Sequence, residues 1–158
     1  MSPEASASLE LKISLYPDRA ALGARLVTEV LLRNVGDDPL LVNARFSLGY
    51  PDTAERDLYC EILRVSGERY FDYRRFQVDY HAQSLSRETF ATLRPGDELR
   101  TSFELQKWYP ITEPGVYCVR VIYEPEPYAP VREAASGRFS SDLVRLTIEP
   151  AAPLPSSA

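Results

Sequence analysis

The chain reads as all-β, an immunoglobulin-like antiparallel β-sandwich of about seven to nine strands. Three observations predict it. Apolar residues alternate with polar ones at period two in short segments, clusters of Gly, Pro, Asn and Asp separate those segments, and no run of ten or more residues carries a helical stripe.

The elements follow in order. Ser8 to Leu15 sets Leu9, Leu11, Ile13 and Leu15 on one face against Glu10, Lys12 and Ser14, and Tyr16-Pro17-Asp18 ends it. Arg25 to Asn34 is the second strand, with Leu26, Thr28, Val30 and Leu32 inward. Asn34 to Pro39 reverses the chain, because Asn, Gly and Asp tolerate positive φ and Pro blocks extension. Leu40, Val42, Ala44, Phe46 and Leu48 then form the inward set of a third strand. Asp57 to Val65 is the fourth and Arg69 to Tyr73 a short fifth, while Arg74 to Thr92 has no clear period. After the turn Leu93 to Asp97, Leu99, Thr101, Phe103 and Leu105 alternate again. Gln106 to Pro114 is a compact connection with room for one helical turn, and Tyr117, Val119, Val121 and Tyr123 mark the next strand. A Pro- and Glu-rich loop, Glu124 to Arg138, precedes the last strand, Asp142 to Glu149. Residues 8–149 are therefore one sandwich domain, with 1–7 and the Pro/Ala/Ser tail 150–158 expected to be disordered.

Composition narrows the function classes. At 158 residues the chain is large enough for one self-sufficient core, and 44% hydrophobic with 26% charged residues is ordinary for a globular domain. A net charge of −5 and a pI near 5.0 disfavour non-specific binding to nucleic acid or anionic membranes. Met1 to Ser8 has no basic, apolar leader pattern, and no stretch of ~20 apolar residues could span a bilayer. A cytoplasmic location is expected, or a secreted one if a leader has been removed.

Several runs carry a family resemblance. Val30-Leu31-Leu32-Arg33-Asn34-Val35-Gly36-Asp37-Asp38-Pro39-Leu40, Leu93-Arg94-Pro95-Gly96-Asp97 and Glu113-Pro114-Gly115-Val116-Tyr117-Cys118-Val119 resemble turns and strand starts of bacterial immunoglobulin-like modules. The Phe90-to-Tyr123 stretch, with Trp108-Tyr109-Pro110-Ile111, is similar to the non-catalytic N-terminal domain of deuterolysin-type peptidases, and the order is similar to the bacillus intracellular proteinase inhibitor family. The resemblance covers residues 9–149 and implies a fold, since one fold hosts many activities. A deuterolysin-type activity would need a His-Glu-x-x-His helix, and this chain has one histidine.

Chemistry-bearing residues are sparse. His81 lies in the irregular segment with no nucleophile-elbow sequence beside any serine, so no enzyme is expected. The acidic groups Asp37-Asp38, Glu124, Glu126 and Glu133 lack calcium-loop spacing, and no glycine pattern forms a phosphate loop. No cofactor or metal is expected. Tyr117, Val119 and Val121 claim the inward face, so Cys118 should point outward, which disfavours an antibody-type bridge to Cys60; same-face pairing or two reduced thiols stay open. Tyr117, just after Pro114-Gly115, has the position of a tyrosine corner.

Two stretches stand out as contact surfaces. Arg69, Tyr70, Tyr73, Arg74, Arg75 and Tyr80 interleave arginine with aromatics, the residue types enriched among interface anchors. The same pattern also fits a connection packing its aromatics over one end of the core. The loop Glu124 to Val131 holds Tyr128 among prolines, which limits the entropy lost on binding. The sequence thus points to a non-enzymatic protein-interaction module, with a proteinase inhibitor acting through an exposed loop as the alternative. A protein partner is expected, with a homodimer left open.

Overall fold

The computed structural model describes residues 8–51, 56–70, 84–125 and 128–151. Eleven extended segments form it: β1 (Leu9–Tyr16), β2 (Arg19–Ala21), β3 (Val27–Asn34), β4 (Leu40–Asn43), β5 (Leu48–Gly49), β6 (Leu58–Arg64), β7 (Phe90–Leu93), β8 (Glu98–Glu104), β9 (Gly115–Tyr123), β10 (Phe139–Ser140) and β11 (Val144–Glu149). Eight of these are four residues or longer, in keeping with the strand count that the alternation predicts. One helical turn, α1 (Leu105–Trp108), follows β8.

One sheet has the order β1-β3-β8, and the other β2-β11-β9-β6-β5 with β10 beside β9. A two-stranded ribbon, β4-β7, is the third piece. Six pairings are antiparallel, while β2 with β11 and β5 with β6 run parallel. The period-two pattern works because each strand turns one residue in two inward. Leu9, Leu11 and Leu15 of β1, Val30 and Leu32 of β3, Cys60 and Ile62 of β6, Tyr117, Val119 and Val121 of β9 and Leu146 and Ile148 of β11 share one buried cluster.

The predicted tyrosine corner is present: the Tyr117 hydroxyl donates to the Glu113 carbonyl at 2.6 Å. Next to it, α1 delivers the fully buried Tyr109 to the core. Its hydroxyl donates to the Gly49 carbonyl and accepts from the Cys60 amide at 3.1 Å, which ties α1 to β5 and β6. Buried aromatic hydroxyls need such partners.

The structure corrects one expectation and describes part of two further segments. The third strand does not run from Leu40 to Leu48: it leaves β4 after Asn43, passes Phe46 at φ 50°, and re-enters as β5 in the other sheet. Of the fifth strand, Arg69 makes only an isolated bridge with Leu63, and residues 71–73 lie outside the described residues. Within 74–92 the described part is ordered, as a 3-10 turn at Arg87–Thr89 followed by β7. An unanticipated strand, β2, also follows the cis Tyr16-Pro17 bond and lies along β11, with the Leu22 amide on the Glu149 carbonyl at 2.8 Å.

A buried ion pair causes the break in the third strand. Arg45 and Asp57 have side-chain exposures of 2% and 0%. The guanidinium donates through Nε to Oδ2 at 2.8 Å and through Nη2 to Oδ1 at 2.9 Å, a bidentate fork. Oδ1 also accepts from Asn43 Nδ2, and Oδ2 from the Ser47 amide, each at 2.9 Å. A strand that kept alternating to Leu48 could not wrap Asn43, Arg45 and Ser47 around one carboxylate. Removing one partner of such a pair strands a buried charge. Asp57→Ala should therefore lower unfolding free energy by about 3–5 kcal/mol in chemical denaturation; a loss below about 1 kcal/mol would show that the pair is dispensable.

Candidate interaction cleft beside the proline-rich loop

β9 ends at Tyr123, where its hydroxyl donates to the Asn43 carbonyl at 2.5 Å. The chain then leaves along a fixed path. The Glu124 amide donates to the Asp57 carbonyl at 2.8 Å, and Arg56 Nη2 reaches Glu124 Oε1 at 2.9 Å. Arg56 also stacks on the Tyr59 ring, 4.5 Å from its centroid. Downstream, Ala129–Val131 makes one 3-10 turn with Pro130 in it, closed by the Val131 amide on the Tyr128 carbonyl at 2.9 Å. The Ala135 amide donates to the Leu41 carbonyl at 2.8 Å and fixes the loop to β4.

These anchors leave a cleft of about 430 Å³ between the loop and the start of β7. Phe90, Pro125, Tyr128, Val131 and Ala134 give it an apolar lining, and among the described lining residues Arg132 is the one cation. The Phe90 and Tyr128 rings stack at 5.8 Å and 21°. Val131 is buried and holds the floor, whereas Arg132 is exposed and forms no ion pair with the described residues. Volume, apolar walls and the two polar side chains Arg132 and Ser136 fit a small ligand or an inserted side chain.

Of the residues singled out in the sequence, Tyr128 lies in this cleft. Arg69 and Tyr70 lie elsewhere. Tyr70 packs on Tyr117 with centroids 4.8 Å apart, its hydroxyl meets Thr112 Oγ1 at 3.1 Å, and Arg64 covers its ring at 4.9 Å. Tyr117 stands near the start of β9 and Tyr123 at its end, six residues or about 20 Å away. Tyr70 of the first predicted surface and the start of the proline-rich loop therefore lie at opposite ends of one strand. Tyr73, Arg74, Arg75, Tyr80 and His81 lie outside the described residues, as do Glu126 and Pro127.

Phe90 and Ala134 were not foreseen. Phe90-Ala91-Thr92-Leu93 is too short a run to separate from a loop by pattern, and only its pairing with β4 places it opposite the proline-rich loop.

The cysteines are free and face opposite ways. Cys60 pairs with Val121 in register, while Cys118 pairs with Leu63, an odd number of residues away, so pleating sends the two side chains to opposite faces. Burial, with Glu61 adjacent, pushes the Cys60 thiol far above its ordinary range, and Cys118 is half-buried on the outer face. Thiol titration of the native protein should register one reactive group, Cys118, with Cys60 reacting only in denaturant. Two equal native rates would contradict that placement.

No cluster of three or more His, Cys, Asp or Glu that could hold a metal occurs among the described residues. No described helix is long and apolar enough to cross a membrane.

By its own geometry, then, the chain is an all-β sandwich carrying an apolar cleft at one end. No family model and no curated protein matches it. Among solved structures it is similar to the CARDB domain of the PF1109 protein from Pyrococcus furiosus, crystallised with di-metal ions, at 16% identity and a TM-score of 0.41, over 89% of this chain and 91% of that one. It is also similar to Spo0M, a sporulation control protein from Bacillus subtilis, at 16% identity and a TM-score of 0.42, over 90% of this chain and 49% of that one. This chain thus spans about half of Spo0M. At these values neither likeness carries an argument about function.

Proposed function

We propose that the chain is a non-enzymatic protein-interaction module that receives an apolar peptide segment in the cleft between the proline-rich loop and β7. The observation that carries the reading is the anchored apolar cleft, with stacked Phe90 and Tyr128 as one wall. Backbone bonds hold its described residues at Glu124, Val131 and Ala135, which lowers the ordering entropy those residues lose when a segment enters. The aromatic wall offers large apolar contact, and Arg132 suits a carboxylate on the incoming segment.

The proteinase-inhibitor alternative requires a side chain from this loop to project into a protease. Tyr128 instead leans on Phe90 at 5.8 Å, and this favours a receiving surface over an inserting one. Titration against a panel of serine proteases separates the two, since an inhibitor slows at least one of them at micromolar concentration.

Selection of displayed random peptides tests the module directly. Apolar peptides with an acidic residue should bind, and Ala134→Trp, which fills the cleft, should weaken them at least about tenfold by calorimetry. Peptides that bind the filled variant as tightly as the parent would place binding elsewhere and overturn the reading.

A further inference from the structure

We propose that the open edge of β1 is a self-pairing surface, on which a second copy of this chain adds its own β1 antiparallel to form a continuous six-stranded sheet. This surface is separate from the cleft, and either can fail without the other.

Among the described residues β1 has one strand neighbour, β3, and forms an end of its sheet. Antiparallel pairing turns the N–H and C=O of alternate residues to alternate sides. The Val35 amide donates to the Ser8 carbonyl at 2.7 Å, and the register pairs Leu9 with Asn34. Even-numbered residues of β1 therefore bond to β3. The far side of β3 agrees, since the Asn34 amide donates to Asp97 and Leu105 donates to the Leu26 carbonyl, leaving the odd residues of β3 for β1. Leu9, Leu11, Ile13 and Leu15 accordingly direct their amides and carbonyls at the open edge.

Among the described residues no strand pairs with that edge, and the segment that carries β10 flanks it. A groove of about 430 Å³ runs beside it, with Glu10 and Lys12 on one side and Arg138, Ser140 and Asp142 on the other. Proteins normally shield such an edge with a loop, a proline, a bulge or a charge. Here the shield consists of two opposite charges, Glu10 and Lys12, 3.2 Å apart on the outer face and 42% and 64% exposed.

Those charges select one register. Odd residues must pair with odd residues, so a two-fold axis passes through a residue. An axis at Glu10 sets Glu10 against Glu10 of the second copy, and one at Lys12 sets Lys12 against Lys12, both repulsive. An axis at Leu11 sets Glu10 opposite Lys12 twice over. It places these in the non-hydrogen-bonded positions where side chains approach closest. Leu11 then bonds to Leu11, and Leu9 to Ile13, across the axis. The other end of the sheet, β8, offers a shorter run because α1 begins at Leu105, and its Arg100 is held by Glu29 and Glu98 at 2.9 Å each.

Sedimentation velocity of the full chain across a micromolar concentration range gives the test. The parent should dimerise, and more weakly as ionic strength rises. Lys12→Glu alone and Glu10→Lys alone each put like charges opposite one another, and each should weaken self-association about tenfold or more. An equimolar mixture of the two variants restores both opposite-charge pairs and should form a heterodimer as tight as the parent dimer. Both positions lie on the solvent face of β1, and circular dichroism melts verify that the variants fold; the salt dependence of the parent is a readout that needs no variant. A parent that stays monomeric, a dimer indifferent to both reversals, or a mixture that fails to reassociate would overturn the proposal.

Discussion

One carboxylate organises the end of the sandwich that carries the cleft. Asp57 collects Arg45, Asn43 and Ser47 through its side chain and Glu124 through its carbonyl. Those four residues come from the end of β4, the crossing to β5 and the departure from β9, segments otherwise unrelated in the chain. A buried charge tolerates only an arrangement that satisfies every lone pair, so the constraint is geometric before it is energetic. The left-handed turn at Phe46, the transfer of the chain from the ribbon to the large sheet and the path of the proline-rich loop all follow from it.

The cleft is a consequence of that arrangement. Glu124 is fixed beside Asp57 and Ala135 to Leu41, and the described residues between these anchors line the space against Phe90. The open edge of β1 arises differently, from the ending of a sheet. A binding surface made by a pinned loop and one made by an unpaired backbone place different demands on sequence: the first needs aromatic walls, the second a charge pattern that admits one register.

Legibility in the sequence divided along the same line. β1, β3, β8, β9 and β11 could be read from alternation because each buries one face against the other sheet, and period two is the physical signature of that burial. Tyr117 was legible because its role needs only a local carbonyl, that of Glu113. The break between β4 and β5 was not, since Ala44 and Phe46 continue the apolar alternation while the deciding partner, Asp57, is twelve residues beyond Arg45. β2 and β10, three and two residues long, are too short to show any period. Tyr128 was found through the prolines around it, but its counterpart Phe90 could be found only through tertiary pairing. Tyr70 carried the composition of a contact residue, yet its ring and hydroxyl are held by Tyr117 and Thr112.

Native-state amide exchange tests the central claim most directly. If the buried carboxylate locks these segments together, the amides of Ser47, Asp57 and Glu124 exchange only through global unfolding, at the same free energy as core amides such as Val119. Exchange of these three through a local opening well below the global free energy, with Val119 still protected, would contradict it.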